Sequence, residues 1–222
     1  MDRPILIQKI TGIIGELNRL TNTLYSLSMT DMQRYPENYE VLSIDAAHRA
    51  EVIACRLRNL VYVTTSVKKE EYLLSAAEAM DVEVSSRDGV IEIVLPCLLP
   101  KKKKWESCDF LIGPLTAAMG AFAAEHQMPR MGHCVICFSH IYNRELPDRR
   151  VRDYDNIEMK KLLDITAAFI LSDDNGLLCD AYNTTELGDA DRTVISIMEC
   201  ERFPRWLEER QPVLKSIKDF QG

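Results

Sequence analysis

Residues 82–96 read VEVSSRDGVIEIVLP, and from Val82 the apolar pattern changes from helical spacing to the alternation of strands. Apolar and polar residues alternate on both sides of Arg87-Asp88-Gly89, a pattern typical of two strands joined by a tight turn. Before it, apolar residues follow helical spacing, so the chain changes character near residue 85. After it, strands and helices mix without regular alternation. The sequence therefore predicts an α+β fold, a mixed sheet with flanking helices preceded by an all-helical N-terminal region.

Three segments follow from this change of pattern. Residues 1–85 are predicted to form a helical module for interaction or oligomerisation, with helices over 5–27, from Ser43 or Asp45 to about 63, and over 68–80. Residues 86–202 carry the sheet, and residues 203–222 form a C-terminal amphipathic helix.

The bulk composition of the 222-residue chain is that of an ordinary globular protein, with 46% hydrophobic and 27% charged residues. A net charge of −7 argues against a chain coated with nucleic-acid-binding surface. No signal peptide or membrane span is expected. Seven cysteines without a secretory signal predict reduced thiols, so we expect a cytoplasmic protein.

Residues 152–164, RDYDNIEMKKLLD, place acidic residues just before a predicted helix. If residues 153–155 are extended, Asp153 and Asp155 point the same way. A helix over about 157–168 would measure about 18 Å, and six extended residues can return about 20 Å. Asp173 or Asp174 would then arrive beside the first pair, and three close carboxylates favour a hard cation such as Mg²⁺. The alternative interpretation is a helix cap at Asp155 and an ordinary turn at residues 173–176.

Basic residues surround these acids. They are Lys101, Lys102, Lys103, Lys104, Arg149, Arg150 and Arg152. Such a surround can hold a polyanionic backbone that the carboxylates alone would repel.

These motifs resemble the RusA family of Holliday junction resolvases. The resemblance covers about residues 90–200 and rests on the prolines after the strand in 91–100, on PDRRVRDYDN at 147–156, and on the later Asp-Asp pair. The chain departs from the family in three respects: its net acidic charge, its helical N-terminal extension, and Met159, which stands where the family's helix carries a lysine, while the lysines here are Lys160 and Lys161.

The resemblance implies a RusA-like nuclease domain over residues 86–202. It implies a homodimeric endonuclease of phages or mobile elements that cuts branched DNA in recombination and repair, using Mg²⁺ or alternatively Mn²⁺. Asp153, Asp155 and Asp174 would hold the metal, with Asp173 beside them. Lys160 would stabilise the developing charge.

Two other functions remain open. The first is a catalytically inactive RusA-like protein that binds DNA or protein, with the N-terminal helices carrying contact to an unknown partner. The second is a zinc-binding regulator that uses His133, Cys134, Cys137 and His140. Strand alternation argues against the zinc site, because Cys134 and Cys137 would face opposite sides of the sheet.

Overall fold

A computed structural model gives the fold and describes residues 3–100, 102, 109–126, 128, 130–146, 151–171 and 176–218. The predicted α+β class is confirmed, because a helical region is followed by a five-stranded mixed sheet with flanking helices. Among the described residues, no helix has both the length and the apolar content needed to cross a membrane. The chain divides into two compact units, Met1–Lys69 and Glu70–Gly222.

The first unit is a pair of long helices, α1 (Arg3–Met29) and α2 (Pro36–Thr64). They run antiparallel, since Glu16 pairs with Arg49 whereas Thr23, further along α1, bonds to Asp45. The expected start of the second helix near residue 43 or 45 is wrong. Pro36 lies in the first turn, where its fixed φ suits a helix and its missing N–H costs no hydrogen bond.

The second unit begins with α3 (Lys69–Ala79), which the sequence had placed with the N-terminal helices. Ala77, 1% exposed, belongs to the main core of the sheet together with Val82. The boundary therefore lies near residue 69 rather than near residue 85, because the short α3 buries its apolar side against the sheet.

The sheet consists of β1 (Glu83–Arg87), β2 (Val90–Leu95), β3 (Cys134–Asn143), β4 (Cys179–Gly188) and β5 (Arg192–Glu199), in the order β1-β2-β5-β3-β4. Neighbouring strands are antiparallel except β3 and β4, which are parallel.

The hairpin expected from the opening stretch is confirmed. Its two-residue turn uses positive φ at both positions, 51° at Asp88 and 76° at Gly89. Aspartate and glycine are among the residues that tolerate such angles in a turn between strands.

Three helices complete the second unit, namely α4 (Asp109–Glu125), α5 (Lys160–Ile170) and α6 (Phe203–Lys218). The first face of the sheet carries Ile136 and Phe138 and joins the core that contains residues of α4 and α5. The second face carries Val135 and Cys137 and packs against α6. Both faces of the sheet are therefore covered at β3.

Candidate functional site

The acidic motif lies in the loop between β3 and α5, and hydrogen bonds hold this loop against residues 99–102. The backbone N–H of Arg152 donates to the hydroxyl of Tyr142 at 3.1 Å, and the Arg152 guanidinium donates to the carbonyl of Leu99. Two backbone hydrogen bonds join the same two segments. The Lys102 N–H donates to the Asn156 carbonyl at 2.6 Å, and the Glu158 N–H donates to the Pro100 carbonyl at 2.9 Å. The loop is therefore fixed by both backbone and side-chain contacts.

Two of the predicted DNA-binding residues are described. Arg152 is half-buried, and its guanidinium is engaged by the Leu99 carbonyl, so it stabilises the loop. Lys102 is exposed and remains available to a phosphate. The other predicted DNA-binding residues lie outside the described residues: Lys101, Lys103, Lys104, Arg149 and Arg150.

Asp153 and Asp155 are both exposed, but the segment between them is not extended. Tyr154–Asn156 forms one turn of 3₁₀ helix, and the Asp153 carbonyl accepts the Asn156 N–H at 3.1 Å. A 3₁₀ helix has three residues per turn, so positions two apart do not point the same way. The extended segment from which alternation would bring the two carboxylates to one point is therefore not formed, and their convergence stays a prediction.

The helix after this loop begins later than expected. Its first residue is Lys160, which is exposed, and Met159 occupies the N-cap position with its side chain packed against the main core. The interpretation of Asp155 as the cap of this helix is therefore wrong. The position at which the resembled family has a lysine faces the core here.

The expected return of the chain after the helix also differs. Phe169 and Ile170 still belong to α5, and Leu171 forms a parallel bridge with Met131, just before β3. At the other end of the motif, the Tyr154 hydroxyl lies 3.0 Å from that of Thr185, which pairs with His140.

The two contacts that anchor the motif, Leu171 with Met131 and Tyr154 with Thr185, lie at different positions along β3. From Cys134, where β3 begins, to His140 is about 20 Å at about 3.3 Å per residue. The described parts of the motif thus lie towards opposite ends of the strand. Asp173 and Asp174 themselves lie outside the described residues, and their joining a metal cluster stays a prediction.

The structure gives His140, which the sequence offered only as a possible zinc ligand, a different environment. His140 is 1% exposed on the first face, with its Nε2 3.3 Å from Oδ1 of Asn183. Its ring centre lies 5.8 Å from that of Tyr154. Burial lowers the pKa of His140, and the nearby Arg152 acts in the same direction against the Asn183 hydrogen bond. Alternation along β3 could have placed His140 inside, but not its partner on another strand.

The cysteine positions bear on the zinc alternative. Cys134 belongs to the first-face core and Cys137 to the second-face cluster, so the expected opposite placement is confirmed. The structure instead brings together the side chains of His133, Asp180 and Cys200, whose ligand atoms all lie within 4.8 Å of one another. This is the one group of three or more potential metal ligands among the described residues, and it includes neither Asp153 nor Asp155.

The family model that matches this chain covers residues 2–221 and carries the description "Family of unknown function (DUF6100)". No curated protein matches the chain significantly.

Proposed function

This chain belongs to the DUF6100 family, and we propose that it is a non-catalytic binding protein that self-associates through its two N-terminal helices. The observation that carries the proposal is an uncharged, exposed apolar face on the α1–α2 pair. In a chain with 27% charged residues, such a face is unusual unless another surface covers it.

The antiparallel helices α1 and α2 form a helical hairpin, and we call this surface of it the hairpin face. Its α1 residues recur at spacings of three and four, and its α2 residues do the same; none of them is charged. They are Ile7, Ile10, Ile14, Leu17, Thr21 and Leu24 on α1, and Ser43, Ala47, Ala50, Ala54, Leu57 and Val61 on α2.

Helix geometry places the two rows on one side. On α1, Ile13 is 5% exposed and faces α2, as Ile53 does from α2. One residue further on turns each helix by about 100°. Because the helices are antiparallel, that rotation brings Ile14 and Ala54 to the same side of the pair. Ile14 remains 51% exposed there.

The opposite side differs in character. On α2, the residues one position before the buried side that contains Ala46 and Ile53 include Asp45, His48 and Val52. The exposed Val52 on this side therefore has polar neighbours. Asp45 is engaged by Arg49 at 2.8 Å. The hairpin face is therefore the one side of the pair where the apolar row is uninterrupted by charge on both helices.

The first unit has little core of its own. Among its described residues, those buried are Ile13, Thr23, Ala46 and Ile53. Polar contacts add to these, since Glu16 pairs with Arg49 at 3.7 Å and with Arg56 at 3.6 Å. A unit below about 70–80 residues with so small a core usually gains stability from a partner.

We take the partner to be a second copy of this chain. The α1 row has mostly bulky side chains, and the middle of the α2 row is three alanines, so a two-fold arrangement can set α1 of one copy against α2 of the other. From Ile7 to Leu24 is about 26 Å, and two packed helices are about 20 Å wide. The projected area is about 500 Å² per copy, or about 1,000 Å² for the pair, which is the lower limit for a biological interface.

The competing proposal is the magnesium-dependent junction endonuclease implied by the resemblance. The exposed Asp153 and Asp155 and the exposed Lys102 support it. Against it stand the 3₁₀ turn at Tyr154–Asn156, the engaged guanidinium of Arg152, and the separation of the motif's anchors. The resemblance suggests branched DNA as a ligand. In our proposal the protein binds this DNA without cutting it.

The test replaces two exposed residues of the hairpin face, in the double variant Ile14→Glu, Leu17→Glu. Complete burial of such a side chain contributes about 1.5–3 kcal/mol, so covering the exposed half contributes about 1 kcal/mol. Two side chains in two copies lose about 4 kcal/mol, which weakens dimerisation about a thousandfold. Light scattering after size exclusion should show a dimer for the wild type and a monomer for the variant.

The matched control is Val52→Glu on the opposite side of the pair, since Val52 and Leu17 are both 42% exposed. It should leave the dimer intact. A monomeric wild type, or equal loss of the dimer in the control, contradicts the assignment of this face.

A further inference from the structure

Three potential ligands meet where β3 and β4 begin and β5 ends. Nε2 of His133 lies 3.3 Å from Oδ2 of Asp180, and the Cys200 sulfur completes a set with all atoms within 4.8 Å. Zinc bonds of about 2.0–2.3 Å in a tetrahedral site put neighbouring ligand atoms about 3.3–3.7 Å apart. The His–Asp pair already has this spacing, and the sulfur needs to move by about 1 Å, within the range of a side-chain adjustment.

The backbone holds these residues in place. His133 immediately precedes β3, Asp180 is the second residue of β4, and Cys200 immediately follows β5. Since β3 lies between β5 and β4, the three occupy adjacent positions across the sheet. The Cys200 N–H donates to the His133 carbonyl at 3.3 Å, which fixes two of the ligand residues directly.

Strand register puts all three side chains on the second face. Asp180 pairs with Val135, which faces that side. His133 is two residues before Val135 and therefore shares its face. Cys200 packs against the second-face cluster, whereas the neighbouring Cys134 is fully buried in the core of the first face. Among the described cysteines at this end of the sheet, Cys200 is the one that lies on the second face.

The donor set indicates the metal. Thiolate sulfur, imidazole nitrogen and carboxylate oxygen together suit Zn²⁺, whereas Mg²⁺ prefers a set made of oxygens alone. The His133 and Asp180 side chains are 54% and 63% exposed, so the solvent side is open to a fourth ligand. We propose that His133, Asp180 and Cys200 form a three-ligand zinc site whose fourth position takes water or an external ligand.

The simpler alternative is a surface ion pair of His133 with Asp180. Such a pair contributes about 0–1 kcal/mol and requires no thiol. The two interpretations separate at Cys200, because a zinc site uses its sulfur and an ion pair does not. The test must therefore read out the sulfur–metal bond.

The experiment titrates the full-length, reduced protein with ZnCl₂ by calorimetry, and with Co²⁺ followed by absorption. We expect one metal per chain and a sulfur-to-cobalt charge-transfer band. Cys200→Ser should abolish that band and weaken zinc binding by at least about tenfold. The control is Cys55→Ser, which removes an exposed thiol of the first unit and should change neither signal.

Asp180→Asn and His133→Gln provide a second route, since both side chains are exposed and their replacement leaves the core intact. Each should weaken zinc binding while circular dichroism stays unchanged. Absence of stoichiometric binding overturns the proposal. So does a charge-transfer band that persists in Cys200→Ser, or zinc binding unchanged in both Asp180→Asn and His133→Gln.

Discussion

The buried imidazole of His140 should make the stability of the second unit depend on pH. In the folded chain its pKa is lowered, mainly because burial disfavours the charged form. In the unfolded chain an exposed histidine titrates near about 6.5. Between these two values the unfolded state binds the proton and the folded state does not, so stability rises with pH in that window.

The magnitude follows from the linkage. The contribution of neutral His140 is fully present above about pH 6.5 and is lost as pH falls towards the folded pKa, at up to about 1.4 kcal/mol per pH unit. His140→Gln keeps a polar side chain beside Asn183 but removes the titration. Between about pH 6 and about pH 5, the wild type should therefore lose up to about 1.4 kcal/mol more stability than the variant.

Urea unfolding followed by tryptophan fluorescence measures this difference, because both tryptophans belong to the second unit. His126→Gln is a suitable control, since His126 is exposed on the surface. Equal pH dependence in the wild type and in His140→Gln would refute the reasoning, since it would mean that His140 binds protons equally in the folded and unfolded chain.

Two more predictions concern the second unit. A Cβ at Gly188 would lie 2.6 Å from Cγ2 of Ile141, a β-branched side chain with little freedom to move, so Gly188→Ala should lower the free energy of unfolding by about 1–3 kcal/mol in urea titrations. Val194→Ala, in the interior of β5, provides a comparison by removing side-chain atoms instead of adding them. A synthetic four-way DNA junction should remain uncut by the protein in Mg²⁺ or Mn²⁺, in the wild type and in Asp153→Asn alike. Magnesium-dependent cutting by the wild type that disappears in Asp153→Asn would instead support the endonuclease.

Local patterns predicted the elements of this fold well. Alternation around Asp88-Gly89 identified the β1–β2 hairpin, and helical spacing identified α1, because each depends on residues close in sequence. The start of α2 is not evident from local pattern, because a proline such as Pro36 is as compatible with a break as with the first turn of a helix.

The candidate sites depended on contacts between distant parts of the chain, which periodicity does not contain. Asp153 and Asp155 would point the same way only in an extended segment, and a single 3₁₀ turn replaces that segment here. The opposite case is His133 and Cys200, separated by most of the sheet in sequence. They meet because β5 lies beside β3, an order that no local pattern of this chain specifies.

The two proposed functions use surfaces outside the acidic motif at residues 152–164. The hairpin face belongs to the first unit and the zinc site to the second, and the variants that test them do not overlap. Failure of either proposal would leave the other standing, because no residue is common to both.

The most direct test of the central claim is the mass of the full-length wild-type protein in solution. Sedimentation velocity up to about 100 μM chain should give a species of twice the 25.4 kDa chain mass. The same measurement on the Ile14→Glu, Leu17→Glu variant should give the single-chain mass. A wild type that sediments as a single chain over the whole concentration range would contradict self-association through the N-terminal helices.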